Sequence, residues 1–157
     1  MKKFLFLIAI LVSTQATAYD KDAIVFGLGS YEAFDDPVIG ANVEFRRHGF
    51  EFLSQLSPMA GVELTGNGAA SAYAGLLYDI KVTPEIALVP SLALGLYHKG
   101  SGQDLGGTFH YRSGIEVDYL ASPNTRFGVS LSHKSNAGVY DQNPGTEEIT
   151  AIYSAGF

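Results

Sequence analysis

The stretch His133-Lys134-Ser135-Asn136-Ala137-Gly138 places an imidazole and a hydroxyl two residues apart, and a carboxylate, Glu147, follows the short segment Asn143-Pro144-Gly145-Thr146. A serine hydroxyl is a weak nucleophile until an adjacent imidazole takes its proton. The imidazole in turn needs a carboxylate to hold its tautomer and to stabilise its charge. Attack on an acyl carbon creates an oxyanion, which needs a hydrogen-bond donor within reach. Asn136, the Ala137-Gly138 backbone and Asn143 are the candidate donors. The chemistry of the set is acyl transfer or ester hydrolysis. It requires His133 and Ser135 to share a face, which a spacing of two does in a β-strand.

The flanking sequence supplies that strand. Between 126 and 135, Phe127, Val129 and Leu131 alternate with Arg126, Ser130, Ser132 and Lys134. Between 109 and 121, Phe109, Tyr111, Ile115, Val117, Tyr119 and Ala121 share one parity, and His110, Arg112, Glu116 and Asp118 share the other. At the C-terminus, Ile149, Ala151, Tyr153, Ala155 and Phe157 alternate with Glu148, Thr150, Ser154 and Gly156, with Ile152 out of step. Period-two alternation marks strands with one apolar face. Further strands are expected near 23–33, 38–53, 59–67, 70–82 and 85–98. Turn residues separate them at Asp35-Asp36-Pro37, Ser57-Pro58, Gly66-Asn67-Gly68, Thr83-Pro84, Gly100-Ser101-Gly102 and Ser122-Pro123-Asn124.

Composition removes several classes. The chain of 157 residues has no Cys, which excludes disulfides, thiolate zinc sites and a Cys nucleophile. Lys plus Arg total 10 against 16 Asp plus Glu, which is no nucleic-acid footprint. Lys2 and Lys3, an apolar run from Phe4 to Val12 and the site Ala16-Thr17-Ala18 form a secretory signal peptide. Residues 1–18 are therefore expected to be cleaved, leaving 19–157 as one β-barrel domain. The apolar run is too short for a spanning helix, which needs about 20 residues.

The polar parity carries large charged residues: Glu44, Glu63, Arg112, Glu116, Asp118, Arg126 and Lys134. A soluble lipid-binding barrel lines its interior with the apolar parity, whereas a membrane barrel turns that parity to lipid and fills its lumen with the polar one. The expected fold is all-β: an eight-stranded, antiparallel, up-and-down transmembrane β-barrel. Phe157 ends the last apolar parity, a feature that resembles the terminal signature of bacterial outer-membrane barrels. Without Trp, the aromatic belt falls to Tyr. With both termini in the periplasm, Thr83-Pro84 and Ser122-Pro123-Asn124 are short periplasmic turns, and 99–106 and 136–145 are longer outer loops. His133 and Ser135 then lie on the lipid-facing side at the outer rim. Glu147 shares that parity, and Glu148 faces inward towards a cation such as Lys134 or Arg126. On spacing alone two readings stand: a catalytic set, or polar residues at a strand tip leaving the hydrocarbon.

The segment His133-Lys134-Ser135-Asn136-Ala137-Gly138, followed by Asn143-Pro144-Gly145-Thr146-Glu147 and a final apolar strand, resembles the PagL-type lipid A 3-O-deacylases. That family has an H-x-S-N-A-G segment and a downstream N-x-G-x-E segment at this separation. The resemblance implies an outer-membrane esterase acting on the acyl chain at position 3 of lipid A. It implies His133 as base, Ser135 as nucleophile and Glu147 as orienting acid, with Asn136, Gly138 and Asn143 near the oxyanion. It implies no cofactor and no metal, with lipid A and outer-membrane lipid as partners; a homodimer is left open. Two positions depart from the family: Lys134 stands where an aromatic or apolar residue is usual, and Glu148 adds a second carboxylate.

The remaining polar residues read more simply. His110 belongs to a lumenal hydrogen-bond network with Arg112 and Glu116 nearby, His98 is a surface residue at an outer strand end, and His48 has no assigned role. Asp35-Asp36 reads as a solvated loop. A small non-enzymatic outer-membrane barrel, structural or adhesive, and a soluble lipid-binding barrel are the competing functions.

Overall fold

The computed structural model describes residues 21–157; the expected signal peptide lies outside them. The strands are β1 (Ala23–Tyr31), β2 (Val38–Arg46), β3 (Leu56–Thr65), β4 (Ala70–Tyr78), β5 (Ile80–Lys81), β6 (Ile86–His98), β7 (Phe109–Ser122), β8 (Thr125–Ser135) and β9 (Thr146–Gly156). Apart from β4 and β5, consecutive strands pair antiparallel, and β1 pairs with β9 to close the sheet on itself. The short β5 continues β4: both pair with β6 in one register, Leu77 opposite Ser91 and Ile80 opposite Leu88. The interruption falls opposite Pro90, whose nitrogen has no hydrogen to donate to the ladder. Counting β4 and β5 as one, the architecture is the expected eight-stranded barrel.

The faces divide as the alternation requires. Glu44, Arg46, Glu63, Arg112, Glu116, Asp118, Arg126, Lys134 and Glu148 are buried in the lumen. Phe26, Leu28, Val43, Leu94, Val117, Val129 and Leu131 are exposed on the outside. Ile152, out of step in the sequence, points inward and is buried. The lumenal charges pair across the barrel. Arg46 makes a fork of 2.7 and 2.9 Å to Glu116 and a 2.5 Å contact to Glu44. Arg126 reaches Asp79 at 2.5 Å, and Arg112 reaches Glu148 at 3.3 Å while lying over the Tyr73 ring. Burying a charge costs several kcal/mol unless partners satisfy it, so the pairs hold opposite walls together. His110 is fully buried as expected, but its partner is Ser71, whose Oγ lies 3.3 Å from Nε2.

Three expectations need adjustment. Ser57-Pro58, expected as a turn, lies within β3, where Ser57 faces Leu77 and Pro58 faces Leu76 of β4. The second strand ends at Arg46, and 47–55 is a turn. Gly49 packs there so closely on Ser54 that a Cβ would lie 1.7 Å from its carbonyl oxygen, and the backbone closes through Phe50 N–H to Leu56 O at 3.1 Å. The aromatic belt is shared by Phe and Tyr: Phe127 packs on Tyr153 near the end that bears the termini, and Phe109 on Tyr111 near the other.

Labels at 131 and 130 check the two faces. A spin label on Leu131→Cys should be relaxed by oxygen dissolved in lipid, and one on Ser130→Cys should be shielded from it. The reverse pattern would mean an apolar interior.

Candidate active site

β8 and β9 pair without a bulge from Thr125 opposite Ala155 to Lys134 opposite Thr146, and this register sets His133 directly opposite Glu147. On the outer face His133 Nδ1 lies 3.0 Å from Glu147 Oε1. Both side chains are partly exposed, His133 by 45% and Glu147 by 33%, so the pair sits at the rim rather than within the wall. Glu147 is held from its other side too, because its carbonyl accepts the Ala33 N–H at 2.9 Å. Gly145 makes room for the imidazole: a Cβ there would lie 2.3 Å from His133 Cε1.

With Nδ1 engaged by the carboxylate, Nε2 is the ring nitrogen available to a second group. Ser135 stands two residues along the same face, opposite Tyr111 of β7, without a hydrogen bond to the ring. Such contacts are often loose until substrate arrives.

Beyond Ser135 the chain turns through two left-handed residues, Ala137 at φ 53° and Gly138 at φ 80°. A Cβ on Gly138 would meet nothing within 4 Å, so it is the dihedral angle and not the space that favours glycine there. Asn136 is fully buried and anchors the turn. Its Nδ2 donates to Leu105 O and Gln142 O, each at 2.6 Å, its N–H donates to Asn143 Oδ1 at 3.0 Å, and its Oδ1 accepts the Gly138 N–H at 2.8 Å. The donors of Asn136 and Gly138 are therefore engaged within the loop, whereas Asn143 binds through its oxygen and keeps its Nδ2 outside that bond.

The loop 99–108 supports this arrangement, and sequence reasoning gave it no part. Leu105 is fully buried beside Ala69 and Tyr97, plugging the barrel mouth. Gly106 approaches Gln142, and Gly107 lies under the Tyr140 ring, whose hydroxyl accepts the Phe109 N–H at 3.1 Å. Glu32 ties the far side, accepting from Asn67 Nδ2 at 2.9 Å and the Gln103 N–H at 3.1 Å. Asp104, outside the wall, is held below the usual carboxylate range by hydrogen bonds from Lys99 and the Gly106 N–H. The paired glycines Gly106-Gly107 were the one sequence signal of close approach. Nothing in the sequence links Gly145 to His133. Among the described residues no group of three or more His, Asp or Glu side chains is arranged to hold a metal ion.

Two substitutions probe this scaffold. Asn136→Ala leaves Leu105 O, Gln142 O and Gly138 N–H without their partner, at about 1–3 kcal/mol for each buried group left unsatisfied. Limited proteolysis within 136–145 should accelerate while the barrel stays folded; an unchanged cleavage rate would remove the anchoring role. Gly145→Ala should rotate the imidazole off Glu147, read by NMR as loss or broadening of the hydrogen-bonded His133 Nδ1–H signal; an unchanged signal would remove the spacing role of Gly145.

The sequence model of the family described as "Lipid A 3-O-deacylase (PagL)" matches residues 69–155, which contain all of these side chains except those of the 32–33 and Asn67 contacts. The protein described as Lipid A deacylase PagL from Bordetella bronchiseptica is 34% identical over 53 residues, a stretch covering 34% of this chain and 30% of that one. Among solved structures, the outer membrane enzyme PagL superposes with a TM-score of 0.68 at 17% identity, covering 86% of this chain and 99% of that one. Neisserial surface protein A gives 0.64 at 13% identity, with 87% and 96% covered. A de novo designed transmembrane β-barrel gives 0.62 at 14%, with 91% and 98% covered. The barrel is thus common to proteins with and without an enzyme's name. The sequence match over more than half the chain discriminates among them: this chain belongs to the lipid A 3-O-deacylase (PagL) family.

Proposed function

We propose that this outer-membrane barrel hydrolyses the ester that links the acyl chain at position 3 of lipid A. The observation that carries the reading is the His133–Glu147 hydrogen bond, 3.0 Å long, on the outward rim of a chain in this family. Glu147 fixes the Nδ1–H tautomer, so Nε2 takes the proton of Ser135 Oγ as the oxygen attacks the acyl carbon. The tetrahedral oxyanion takes a hydrogen bond from Asn143 Nδ2, because the donors of Asn136 and Gly138 are already engaged. Nε2–H then protonates the departing sugar oxygen. Water, activated by the same nitrogen, releases the fatty acid and restores Ser135.

The outward placement suits the substrate. Leu131, Val129 and Phe127 continue below His133 on the exposed face, so an acyl chain lies along β8 without leaving the hydrocarbon. Residues 1–18 serve as the export signal in this reading.

Ser135→Ala should leave a heat-modifiable barrel and lower deacylation by about 10³-fold or more. His133→Ala should lose as much, and the double variant should lose no more than either alone. Glu147→Ala should lose less, because the carboxylate orients the ring and stabilises its charge. Mass spectrometry of lipid A, following loss of one acyl chain, measures all of these. A Ser135→Ala barrel with near-normal release would remove Ser135 from the mechanism.

A further inference from the structure

Lys134 lies between His133 and Ser135 in the sequence and points to the other side of the wall. Its side chain is 3% exposed, and its Nζ contacts Glu63 of β3 and, at 2.6 Å, Glu148 of β9. Glu148 is the neighbour of Glu147 and is 1% exposed. It also accepts from Ser132 Oγ at 2.7 Å and from Arg112 Nε at 3.3 Å. The β8–β9 pair therefore carries two polar pairs back to back: the hydrogen-bonded His133 and Glu147 on the outside, and the ion pair of Lys134 and Glu148 within.

Outside the His133–Glu147 contact itself, the register is held by the inner groups rather than by the apolar outer face. The outer face of these strands presents Phe127, Val129, Leu131, Ile149 and Tyr153, which fluid lipid accepts in any alignment. A slip of one residue turns the slipping strand over, putting Lys134 of β8 or Glu148 of β9 into lipid, which is expensive. A slip of two keeps the faces but carries Glu148 away from Ser132, the residue directly opposite it, and sets His133 against Gly145 or Ile149. The bond from Lys134 to Glu63 also ties the tip of β8 to a strand that is not its neighbour.

We propose that Lys134 and Glu148 are positioning residues for the outward His133–Glu147 pair, their lumenal ion pair holding the register and stiffness of the strand ends that bear it. The effect on turnover rests on the esterase reading above; the effect on the imidazole does not. Neither residue touches substrate, so their loss acts through geometry, and a misplacement of about 1 Å costs up to about 100-fold.

The test uses the full-length barrel in lipid A-containing micelles with Lys134→Met, Lys134→Arg and Glu148→Gln, together with NMR of ¹⁵N-histidine-labelled protein. In Lys134→Met, kcat should fall about 10-fold to 100-fold with KM within about twofold, and the hydrogen-bonded Nδ1–H signal of His133 should broaden or move upfield. Lys134→Arg, which keeps the charge, should recover most of both. Should Lys134→Met fail to fold, Glu148→Gln, which retains an acceptor for Ser132, should show the same loss of signal. Folded variants with an unchanged Nδ1–H and unchanged kcat overturn the proposal. A wild-type barrel that releases no fatty acid, yet loses the Nδ1–H signal in the variants, would leave the positioning role standing and sink the esterase reading instead.

Discussion

A charge placed in hydrocarbon has nowhere to go, and the strands of this barrel are dense with charges. Within the wall each must therefore point into the lumen and find a partner there; Glu147, at the rim, is the exception. Arg46 with Glu44 and Glu116, Arg126 with Asp79, and Lys134 with Glu63 and Glu148 answer that demand at successive levels. Once the charged parity is committed to the interior, period two sends the intervening residues to the lipid. His133, Ser135 and Glu147 share the outward parity with Leu131 and Ile149. The facing of the candidate site is thus a by-product of where its neighbours were forced to go.

At the rim the lipid no longer dictates the chain, and backbone hydrogen bonding takes over. Asn136 is the pivot, saturating three donors and an acceptor within one buried carboxamide and its amide. It couples the turn after Ser135 to the plug formed by Leu105. A motif that reads as a catalytic signature is therefore also a folding element. Its asparagine holds the loop, and its glycine takes a dihedral angle that other residues resist.

What could be read from the sequence follows the same division. Alternation over 109–121 and 126–135 is a direct imprint of the lipid, so strand identity, facing and the parity of Glu147 against Glu148 were legible. The match of His133, Ser135 and Glu147 to a family pattern depended on spacing along one hairpin, which antiparallel pairing preserves. Contacts between distant segments were not legible. Lys134 meets Glu63 across the barrel, Asn136 meets Leu105, and Gly145 yields space to His133; no local period announces any of these. The extension of the second strand to 53 failed for a related reason. Apolar residues at Phe50 and Phe52 imitate alternation, while the tight approach of Gly49 to Ser54 turns the chain back.

The filled lumen has a consequence of its own. Leu105 stops the mouth, and the void beside Arg112 and Glu116 measures about 10 Å³, room for roughly one water. Among the described residues, such an interior leaves little room for a column of water. A barrel filled in this way can vary in abundance while adding little to the permeability of the membrane that holds it.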